Sequence, residues 1–461
     1  MKSKARNIKL WIIVIGCLII VLPVAWVLMV RLEGEQPKLE LDLISPYIGS
    51  SQDLTITVSD TKSGMRKLWV GLLKDGKEIA LQDTHFPLEG LLKGGSLKKT
   101  SINIAIAPSK LGFSDGEATL RMVAHDYSWR DWWKGNKTYL EKTVVIDTKP
   151  PEIEVLSRAH NINQGGAGLV IFRTSENCSQ SGVQVGDKFF PGHGGFFEDS
   201  LVYLTFFALG YQQGRGTDIR VRAVDLAGNI SGSSFYYHIR RKGFRKDKIN
   251  ISDGFLNRKL PEFSSQISSD PSKSQVEQFL EVNRDLRAAN YQKIAAACQH
   301  PDQEIHWQGT FLRLPKSATR ARFADHRTYF YKGRKIDKQV HLGIDLASVS
   351  NSPVPAANDG LVAFAQPVGI YGKTVVLDHG FGLFSMYSHL SQIAVKTGDR
   401  VSKGDTLGRT GSTGMAGGDH LHFSMLINDT FVNPVEWWDK KWIENNVTSK
   451  IDWAKSITQR E

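Results

Sequence analysis

The segment His341-Leu342-Gly343-Ile344-Asp345 places a histidine and a carboxylate four residues apart. Two further segments share its chemistry, Tyr387-Ser388-His389-Leu390 and His420-Leu421-His422-Phe423. Valine and isoleucine recur throughout the region and glycines stand at the bends, which favours β-strands. Residues i and i+2 of a strand point to the same face. The imidazoles of His420 and His422 are therefore predicted to lie side by side, with the residues that alternate with them facing the core.

These residue types are typical of a catalytic zinc site. Zinc takes nitrogen and oxygen ligands at about 2 Å, and a catalytic site uses three protein ligands and leaves one position to water. His341 and Asp345 can supply two ligands, and either His420 or His422 the third. His389 and the remaining histidine of the pair are neutral bases suited to proton transfer or to stabilising an oxyanion. One buried histidine is usually a core residue, but this combination in one β segment indicates a metal site.

The region resembles the lysostaphin/LytM-type zinc metallopeptidases, which cut peptide cross-links in bacterial cell-wall peptidoglycan. The resemblance covers about residues 308–435, through the stretches HLGIDLAS, PVPAANDGLVAFA, GIYGKTVVLDHG, YSHLS, VKTGDRVSKGDTLGRTGSTG, GGDHLHF and VNP. It implies that zinc is bound by His341, Asp345 and His422, and that catalysis is assisted by His389 and His420. Every ligand position follows the family pattern, which argues against degenerate relatives that only activate other hydrolases.

Length and charge narrow the class of protein. A chain of 461 residues predicts about three domains. The net charge of +11 is spread widely and suits work beside an anionic envelope polymer or a membrane. Nucleic acid is not an expected partner, because no groove-reading helix or aromatic-basic motif accompanies the charge. The three cysteines, Cys17, Cys178 and Cys298, fall in different predicted segments, so we predict neither a disulfide framework nor a thiolate ligand.

The N-terminus predicts a membrane anchor. Residues 1–9 form a basic tail and residues 10–30 carry no charge. About 20 apolar residues cross a bilayer of roughly 30 Å, and the basic flank is expected to stay cytoplasmic. The chain is therefore expected in the cytoplasmic (inner) membrane as a single-pass protein, with everything after residue 31 outside. Two alternatives remain: a cleaved signal peptide, which usually has a shorter apolar core, and a lipoprotein acylated at Cys17.

Residues 36–150 and 151–240 are predicted to form two β-sandwich modules of the immunoglobulin-like type. The alternation of apolar and polar residues has a period of two, and Gly-rich turns separate the runs. Residues 223–229 resemble the turn-bearing stretch of bacterial immunoglobulin-like modules, and residues 124–126 are its counterpart in a weak internal repeat. We interpret the modules as spacers rather than as a docking or autoinhibitory surface.

The remaining segments complete the domain division. Residues 241–300 are predicted as a basic linker and a helical segment that packs against the catalytic domain. One helix is expected to begin at Asp270-Pro271, since Asp suits an N-cap and Pro the first turn. Residues 305–440 are the predicted zinc metallopeptidase domain, and residues 441–461 a C-terminal tail.

Several residues near the predicted site are interpreted as structural. His326 falls outside the matching ligand positions and is expected in a loop, and His379 is expected to be a structural histidine at a strand turn. The aromatic run is predicted to fold back as a C-terminal cap, with carbohydrate stacking as the alternative; it consists of Trp437, Trp438 and Trp442.

The sequence thus predicts a mainly β, membrane-anchored zinc endopeptidase that acts on peptidoglycan peptides outside the cytoplasm. One alternative is a non-catalytic envelope protein that recruits or activates a wall amidase, which would be expected to lack ligands. The other is a structural envelope tether, which would function without its zinc site. The sequence identifies no protein partner.

Overall fold

A computed structural model describes residues 2–43, 45–268 and 270–459, with side chains from residue 8 onward. The basic side chains of Lys2, Lys4 and Arg6, on which the predicted cytoplasmic tail depends, lie outside the described residues, as do the last two residues of the predicted C-terminal tail. The described chain is mostly β and forms two compact units. The first unit comprises Met1–Pro151 with Val224–Ile230, and the second Glu152–Ala223 with Ser231–Glu461.

The first unit begins with the helix Lys2–Arg31. Among the described residues, one helical stretch is long and apolar enough to cross a membrane: Ile8–Arg31, 24 residues with a mean hydropathy of 3.0 in its most apolar part. The apolar run predicted at residues 10–30 is therefore helical and lies within this stretch.

Two sheets enclose a separate apolar core in the first unit. The strands of the three-stranded sheet are, in spatial order, Lys38–Asp42, Gln52–Ser59 and Lys99–Ile106. Those of the five-stranded sheet are Tyr47–Ile48, Lys137–Ile146, Gly116–Asp126, Met65–Lys74 and Lys77–His85. The short elements are Leu88–Gly90 paired with Gly94–Gly95, the 3-10 turn Pro108–Leu111 and the helical turn Arg130–Trp133. The predicted alternation is confirmed, because Leu54, Ile56 and Val58 are at most 1% exposed.

The two positions proposed as an internal repeat make similar hydrogen bonds. Asp126 accepts from the backbone N–H and the side-chain amide of Asn136. Asp225 accepts from the same two groups of Asn229. In each case a carboxylate at the end of a strand holds an asparagine on the returning chain, a local device that stabilises turns.

The second unit opens with further sheets from residues 153–240. A three-stranded sheet contains Ile153–Val155, Ala167–Thr174 and Val202–Ala208, and a parallel pair contains His160–Asn163 and Tyr237–Arg240. A four-stranded sheet contains, in order, Lys188–Pro191, Cys178–Val185, Ile219–Asp225 and Ile230–Ser234.

The remaining strands of the second unit surround the predicted site. A three-stranded sheet contains Lys246–Ile251, Asp325–Tyr331 and Arg334–His341. The largest sheet runs in the order Ala318–Ala321, Ile344–Ala347, Leu421–Ile427, Leu383–Leu390, Gly372–Asp378, Gly360–Val368 and Arg400–Val401, with Thr430–Val432 also paired to Leu421–Ile427. A smaller sheet contains Pro353–Pro355, Thr406–Arg409 and Gln392–Ile393. Lys246–Ile251 lies in the range predicted as a basic linker, which is therefore partly a strand paired in parallel with Asp325–Tyr331.

The helix expected at Asp270-Pro271 begins later in the chain. It starts at Gln275, with Ser274 as N-cap and Glu277 closing a capping box. This Ser-x-x-Glu spacing satisfies two backbone N–H groups reciprocally and therefore outcompetes the upstream Asp-Pro pair. The helices and turns of the segment are Asp253–Lys259, Leu260–Phe263, Gln275–Glu281, the π-turn Val282–Leu286 and Arg287–Ala297.

The C-terminal helices cover the strand Ala167–Thr174. They are Val435–Trp438, Lys440–Ile443, the π-turn Glu444–Thr448 and Ser449–Thr458, and a further 3-10 turn, Gly369–Tyr371, lies nearer the site. Trp437 is fully buried and packs against Trp307 and Phe311, as the cap interpretation predicts, so it presents no face for carbohydrate stacking.

Two ionisable side chains of this cap are buried against the same strand. Glu436 accepts hydrogen bonds from the side chain of Asn163 at 2.6 Å and the backbone N–H of Ala167 at 2.9 Å. Lys450 donates to the carbonyl of Leu169 at 2.9 Å. Burial raises the pKa of Glu436 to about 7 and lowers the pKa of Lys450 to about 7.

Candidate metal centre

Three strands bring together the residues predicted to bind metal. His341 is the last residue of Arg334–His341, and Asp345 is the second residue of Ile344–Ala347. The latter strand pairs antiparallel with Leu421–Ile427, and Asp345 stands directly opposite His422. Side chains of directly opposed residues lie on one face of a sheet. The pairing register of these two strands therefore brings Asp345 next to His422.

The three donor atoms form a compact triangle. His341 Nε2, Asp345 Oδ1 and His422 Nδ1 are each 2.9 Å from the other two. A tetrahedral ion about 2 Å from its ligands separates them by roughly 3.3 Å. Each pair has to open by only roughly 0.4 Å, so the donor set fits zinc in both chemistry and size. These residues form a group that could hold a metal ion.

Hydrogen bonds orient the rings of His341 and His422. In each ring, the nitrogen outside the triangle is hydrogen-bonded, so that the other nitrogen points into the triangle. His341 Nδ1 donates to the carbonyl of Arg322 at 3.0 Å, which leaves Nε2 unprotonated. Ser424 Oγ donates to the carbonyl of Leu342 and accepts from His422 Nε2 at 3.1 Å, which leaves Nδ1 unprotonated. Partners of this kind fix the tautomer of a metal-binding histidine. Burial also lowers the pKa of His422 to about 4, which favours the neutral form that binds metal.

Arg327 orients the carboxylate. Its Nη2 donates to Asp345 Oδ2 at 2.9 Å, so the other oxygen faces the histidines. Burial alone would raise the pKa of Asp345, but its contacts with His341, His420 and His422 outweigh burial and hold that pKa well below its ordinary range. The carboxylate is thus ionised, as a ligand has to be.

His389 reaches the site through an unusual backbone conformation. Ser388 stands opposite His422, and Tyr387 opposite the core residue Phe423. Strict alternation would turn His389 to the core side, but its φ of +63° redirects the side chain. The His389 ring lies 4.9 Å from that of His420, and its Nδ1 donates to the carbonyl of Thr413 at 2.8 Å. Burial lowers the pKa of His389 well below its ordinary value.

His420 sits at the edge of the triangle. It precedes the strand Leu421–Ile427 and forms an isolated bridge with Gly411, so the predicted strand geometry applies to His422 but not fully to His420. Its Nδ1 donates to the carbonyl of Gly418 at 2.8 Å, and its Nε2 is 3.5 Å from Asp345 Oδ1. Burial lowers the pKa of His420, but Asp345 outweighs it and the net shift is upward.

The donor atoms open into a cleft of about 450 Å³. The largest sheet contributes His389 and His422, and the three-stranded sheet contributes His341. The helical segment contributes Phe255, Arg258, Phe279 and Arg287. A site walled by two elements can hold an extended ligand against the metal group.

Residues 339–434 match the family described as Peptidase family M23. We call residues 339–434 the M23 domain, after this match. The chain is 40% identical over 97 residues to the DD-carboxypeptidase/endopeptidase Mpg of Neisseria meningitidis, which covers 21% of the chain and 22% of that protein. It is 36% identical over 96 residues to the peptidoglycan DD-endopeptidase ShyA of Vibrio cholerae, with the same coverage.

The chain spans about a fifth of the length of these curated relatives. Among solved structures, the catalytic domain of lysostaphin from Staphylococcus simulans is 27% identical and covers 26% of this chain and 90% of that one, with a TM-score of 0.22.

Two further histidines of this region lie outside the metal group. His379 is fully buried and bonds to the carbonyl of Asp359 and to Ser385 Oγ, each at 2.7 Å, in agreement with a structural role. His326 is exposed and packs beside Tyr211, but the prediction of a loop is wrong, because it lies in the strand Asp325–Tyr331 and is paired with Val340 and Lys246.

Sequence reasoning missed the groups that orient the site residues, namely Arg327, Ser424 and the carbonyl groups of Arg322 and Thr413. A carbonyl group carries no sequence signal, and Arg327 stands among other basic residues. Ser424 could have been found, since it follows His422 by two residues and shares its face of the strand.

Gly343 allows the close approach of the ligand strands in the M23 domain. A Cβ at this position would lie 2.5 Å from His422 Nε2 and 2.6 Å from Ser424 Oγ. We therefore expect Gly343→Ala to displace His422 and weaken zinc affinity about 10–100-fold, the usual cost of losing an orienting contact. Competition with a fluorescent chelator measures the affinity. Gly243→Ala, where the added methyl meets nothing within 4 Å, is the matched control; equal affinities for the two variants would contradict the steric argument.

Proposed function

We propose that the chain is a zinc-dependent endopeptidase that hydrolyses peptide cross-links of peptidoglycan outside the cytoplasmic membrane. The observation that carries the proposal is the convergence of two nitrogens and one oxygen, each 2.9 Å from the others, beside two further histidines. The M23 match and the names of the peptidoglycan DD-endopeptidase relatives support the reaction and the substrate.

His341, Asp345 and His422 are the proposed metal ligands. Zinc held by these residues supplies Lewis-acid polarisation of the scissile carbonyl and a water of lowered pKa. The chain itself keeps both imidazole nitrogens unprotonated and one carboxylate oxygen free, through the carbonyl of Arg322, Ser424 and Arg327. Because these ligand atoms are already oriented, the side chains need not rearrange during the reaction.

His389 and His420 are the proposed proton-transfer residues. Each donates its Nδ1–H to a backbone carbonyl, so each presents Nε2 as the nitrogen able to exchange a proton in the cleft. Their rings are 4.9 Å apart, which lets one take a proton from the attacking water while the other stabilises the oxyanion or protonates the leaving amine.

The cleft suits an acidic peptide. Arg258 and Arg287 line the same cleft as the ligands. Guanidinium groups pair well with carboxylates, and the stem peptides of peptidoglycan carry free carboxylates. The arginines would position the chain across the metal group.

We further propose that the apolar helix Ile8–Arg31 is an uncleaved anchor in the cytoplasmic membrane and that the M23 domain is extracytoplasmic. In this proposal residues 36–150 and 151–240 are immunoglobulin-like sandwich modules that act as spacers. The paired sheets around a separate core in the first unit support that assignment for the first of them.

Digestion of purified peptidoglycan sacculi tests the function. Full-length protein loaded with zinc is expected to convert cross-linked peptide dimers to monomers, identified by mass spectrometry, whereas Asp345→Ala, which lacks a ligand, is expected to release almost none. Zinc content is measured on the same samples. Dimers that persist with the zinc-loaded protein would refute the endopeptidase. Release that requires an added amidase, and frees whole peptides from the glycan, would support the activator alternative.

A further inference from the structure

Five large apolar side chains are exposed at one end of the first unit. Leu88, Leu91 and Leu92 belong to the hairpin 88–95 and are 47%, 65% and 57% exposed, and Trp132 and Trp133 of the turn Arg130–Trp133 are 90% and 57% exposed. We call these five residues the apolar rim. Exposed Lys93, Arg130 and Lys134 stand among them, together with the acids Glu89 and Asp131.

The apolar rim adjoins the point where the anchor helix ends. The backbone N–H of Trp129 donates to the carbonyl of Arg31 at 2.5 Å, and Arg130 Nε donates to the carbonyl of Leu32 at 3.0 Å. A Cβ on Gly94 of the hairpin would lie 2.7 Å from Arg31 Nη1. The hairpin and the tryptophan turn therefore both contact the last residue of the helix.

The helix end is also fixed to the sheets of this unit. Arg31 is 3% exposed, its guanidinium lies 5.2 Å from the ring of Trp129, and it interacts electrostatically with the carboxylates of Asp126 and Glu33. Glu33 in turn accepts from the backbone N–H of Ser63 at 2.6 Å. A charge buried beside carboxylates is costly to withdraw, so these contacts hold the end of the helix against the rim.

The tryptophans are held outward by the backbone. Asp131, Trp132 and Trp133 have φ values of +45°, +52° and +69°, a left-handed turn that is unfavourable for residues other than glycine. Arg66 Nη1 fixes the turn by donating to the carbonyl of Trp133 at 2.6 Å. Strain maintained in this way is characteristic of functional segments, and here it presents two indole rings to the surroundings.

From these contacts we propose that the apolar rim inserts into the outer face of the phospholipid bilayer that the anchor helix spans. The inference rests on the proposed anchor. A helix that leaves the bilayer at Arg31 places everything touching Arg31 at the level of the headgroups. Tryptophan is enriched at that level. Burying the leucine side chains at the boundary of the acyl chains is favourable, because it removes apolar surface from water. Lys93, Arg130 and Lys134 can pair there with the phosphates of the lipids.

A bilayer explains the apolar rim better than a glycan does. Sugar rings stack on aromatic faces beside polar groups, whereas three of the five rim residues are leucines, which offer no flat face and no hydrogen bond. The adjacent anchor supplies a lipid surface at this end of the unit, and no comparable contact specifies a glycan.

Spin labelling of the full-length chain in vesicles tests the proposal. The vesicles contain phosphatidylethanolamine with a minority of phosphatidylglycerol, and native Cys17 serves as the label site within the anchor. Leu91→Cys and Trp132→Cys, each with the native cysteines replaced, report on the rim. Lys110→Cys is the control, because Lys110 is exposed and lies at the other end of the first unit from the rim. The strand Met65–Lys74 runs between the two ends, and at roughly 3.3 Å per residue it separates them by about 30 Å.

Collision rates with oxygen and with a water-soluble nickel complex give the depth of each label. We expect labels at 17, 91 and 132 to favour oxygen and the label at 110 to favour nickel. A water-exposed rim with a buried Cys17 label would overturn the proposal and leave the anchor intact. A Cys17 label that is also water-exposed would refute the anchor and the rim insertion together. Rim labels that are mobile in vesicles but immobilised by added glycan strands would assign the rim to carbohydrate and overturn insertion.

Discussion

His389→Ala and His420→Ala are each expected to keep zinc near one ion per chain and still lose about 10²–10⁴-fold in the rate of cross-link hydrolysis. That range is the usual contribution of a positioned acid–base group. Neither side chain belongs to the 2.9 Å triangle, because His420 Nε2 is 3.5 Å from Asp345 Oδ1 and the His389 ring lies farther out, beside His420. Elemental analysis and initial rates on the same preparations measure both quantities.

His422→Ala separates the two kinds of role. It removes a triangle atom, so we expect it to lose both zinc and activity. His326→Ala, which changes an exposed histidine outside the metal group, is the matched control and should keep both. If His420→Ala lost zinc and His422→Ala retained it, the two histidines of the HxH pair would have the reverse roles. A fully active His389→Ala would remove that residue from catalysis.

Two buried groups of the second unit, Glu436 and Lys450, are expected to make its stability depend on pH. Their summed contribution to the free energy of unfolding is expected to be smallest near pH 7. The folded state holds a proton on Glu436 more tightly than the unfolded chain does, so this contribution falls as pH rises from about 4.5 to about 7. The folded state releases the proton of Lys450 more readily, so its contribution rises from about pH 7 to about 10.5. At roughly 1.4 kcal/mol per pKa unit, each contribution is a few kcal/mol.

Urea unfolding of the full chain at about pH 5, 7 and 9 tests this expectation. Glu436→Gln should flatten the acid side of the pH profile and Lys450→Met the alkaline side. The exposed pair Lys440–Glu444 in the same helical cap provides the controls Lys440→Met and Glu444→Gln, which should change stability by less than about 1 kcal/mol at every pH. If Glu436→Gln and Lys450→Met left the pH slopes unchanged, neither group would carry a shifted pKa in the folded state.

The sequence predicted the residues that gather at the candidate site better than it predicted their geometry. Residue types and spacing placed His341, Asp345 and the HxH pair at one predicted metal site, and the family resemblance chose His422 as the third ligand. The register that sets Asp345 opposite His422 was not predicted. The sequence could not show that His389 takes a left-handed φ, since alternation in a strand predicts the opposite face. Arg327 was missed because its role depends on a contact from a different sheet.

The fold, like the site, was predicted from the sequence only in part. Alternating apolar residues predicted the strands of the first unit, since their period of two follows directly from burial on one face. The start of the helix was misplaced at Asp270 because the Ser274–Glu277 capping box was overlooked. The basic run at 241–248 was taken for a linker, yet hydrogen bonding to a distant strand makes residues 246–251 a β-strand.

The triangle of donor atoms has a consequence for how far away a substitution can act on the site. The nitrogens of His341 and His422 are aimed by Arg322 and Ser424, and the carboxylate of Asp345 by Arg327. Arg327 belongs to a different sheet from Asp345, so the aim of the donor atoms depends on how two sheets of the second unit pack and not on the ligand motifs alone. A substitution that shifts one sheet against the other is therefore expected to weaken metal binding even when every ligand is kept.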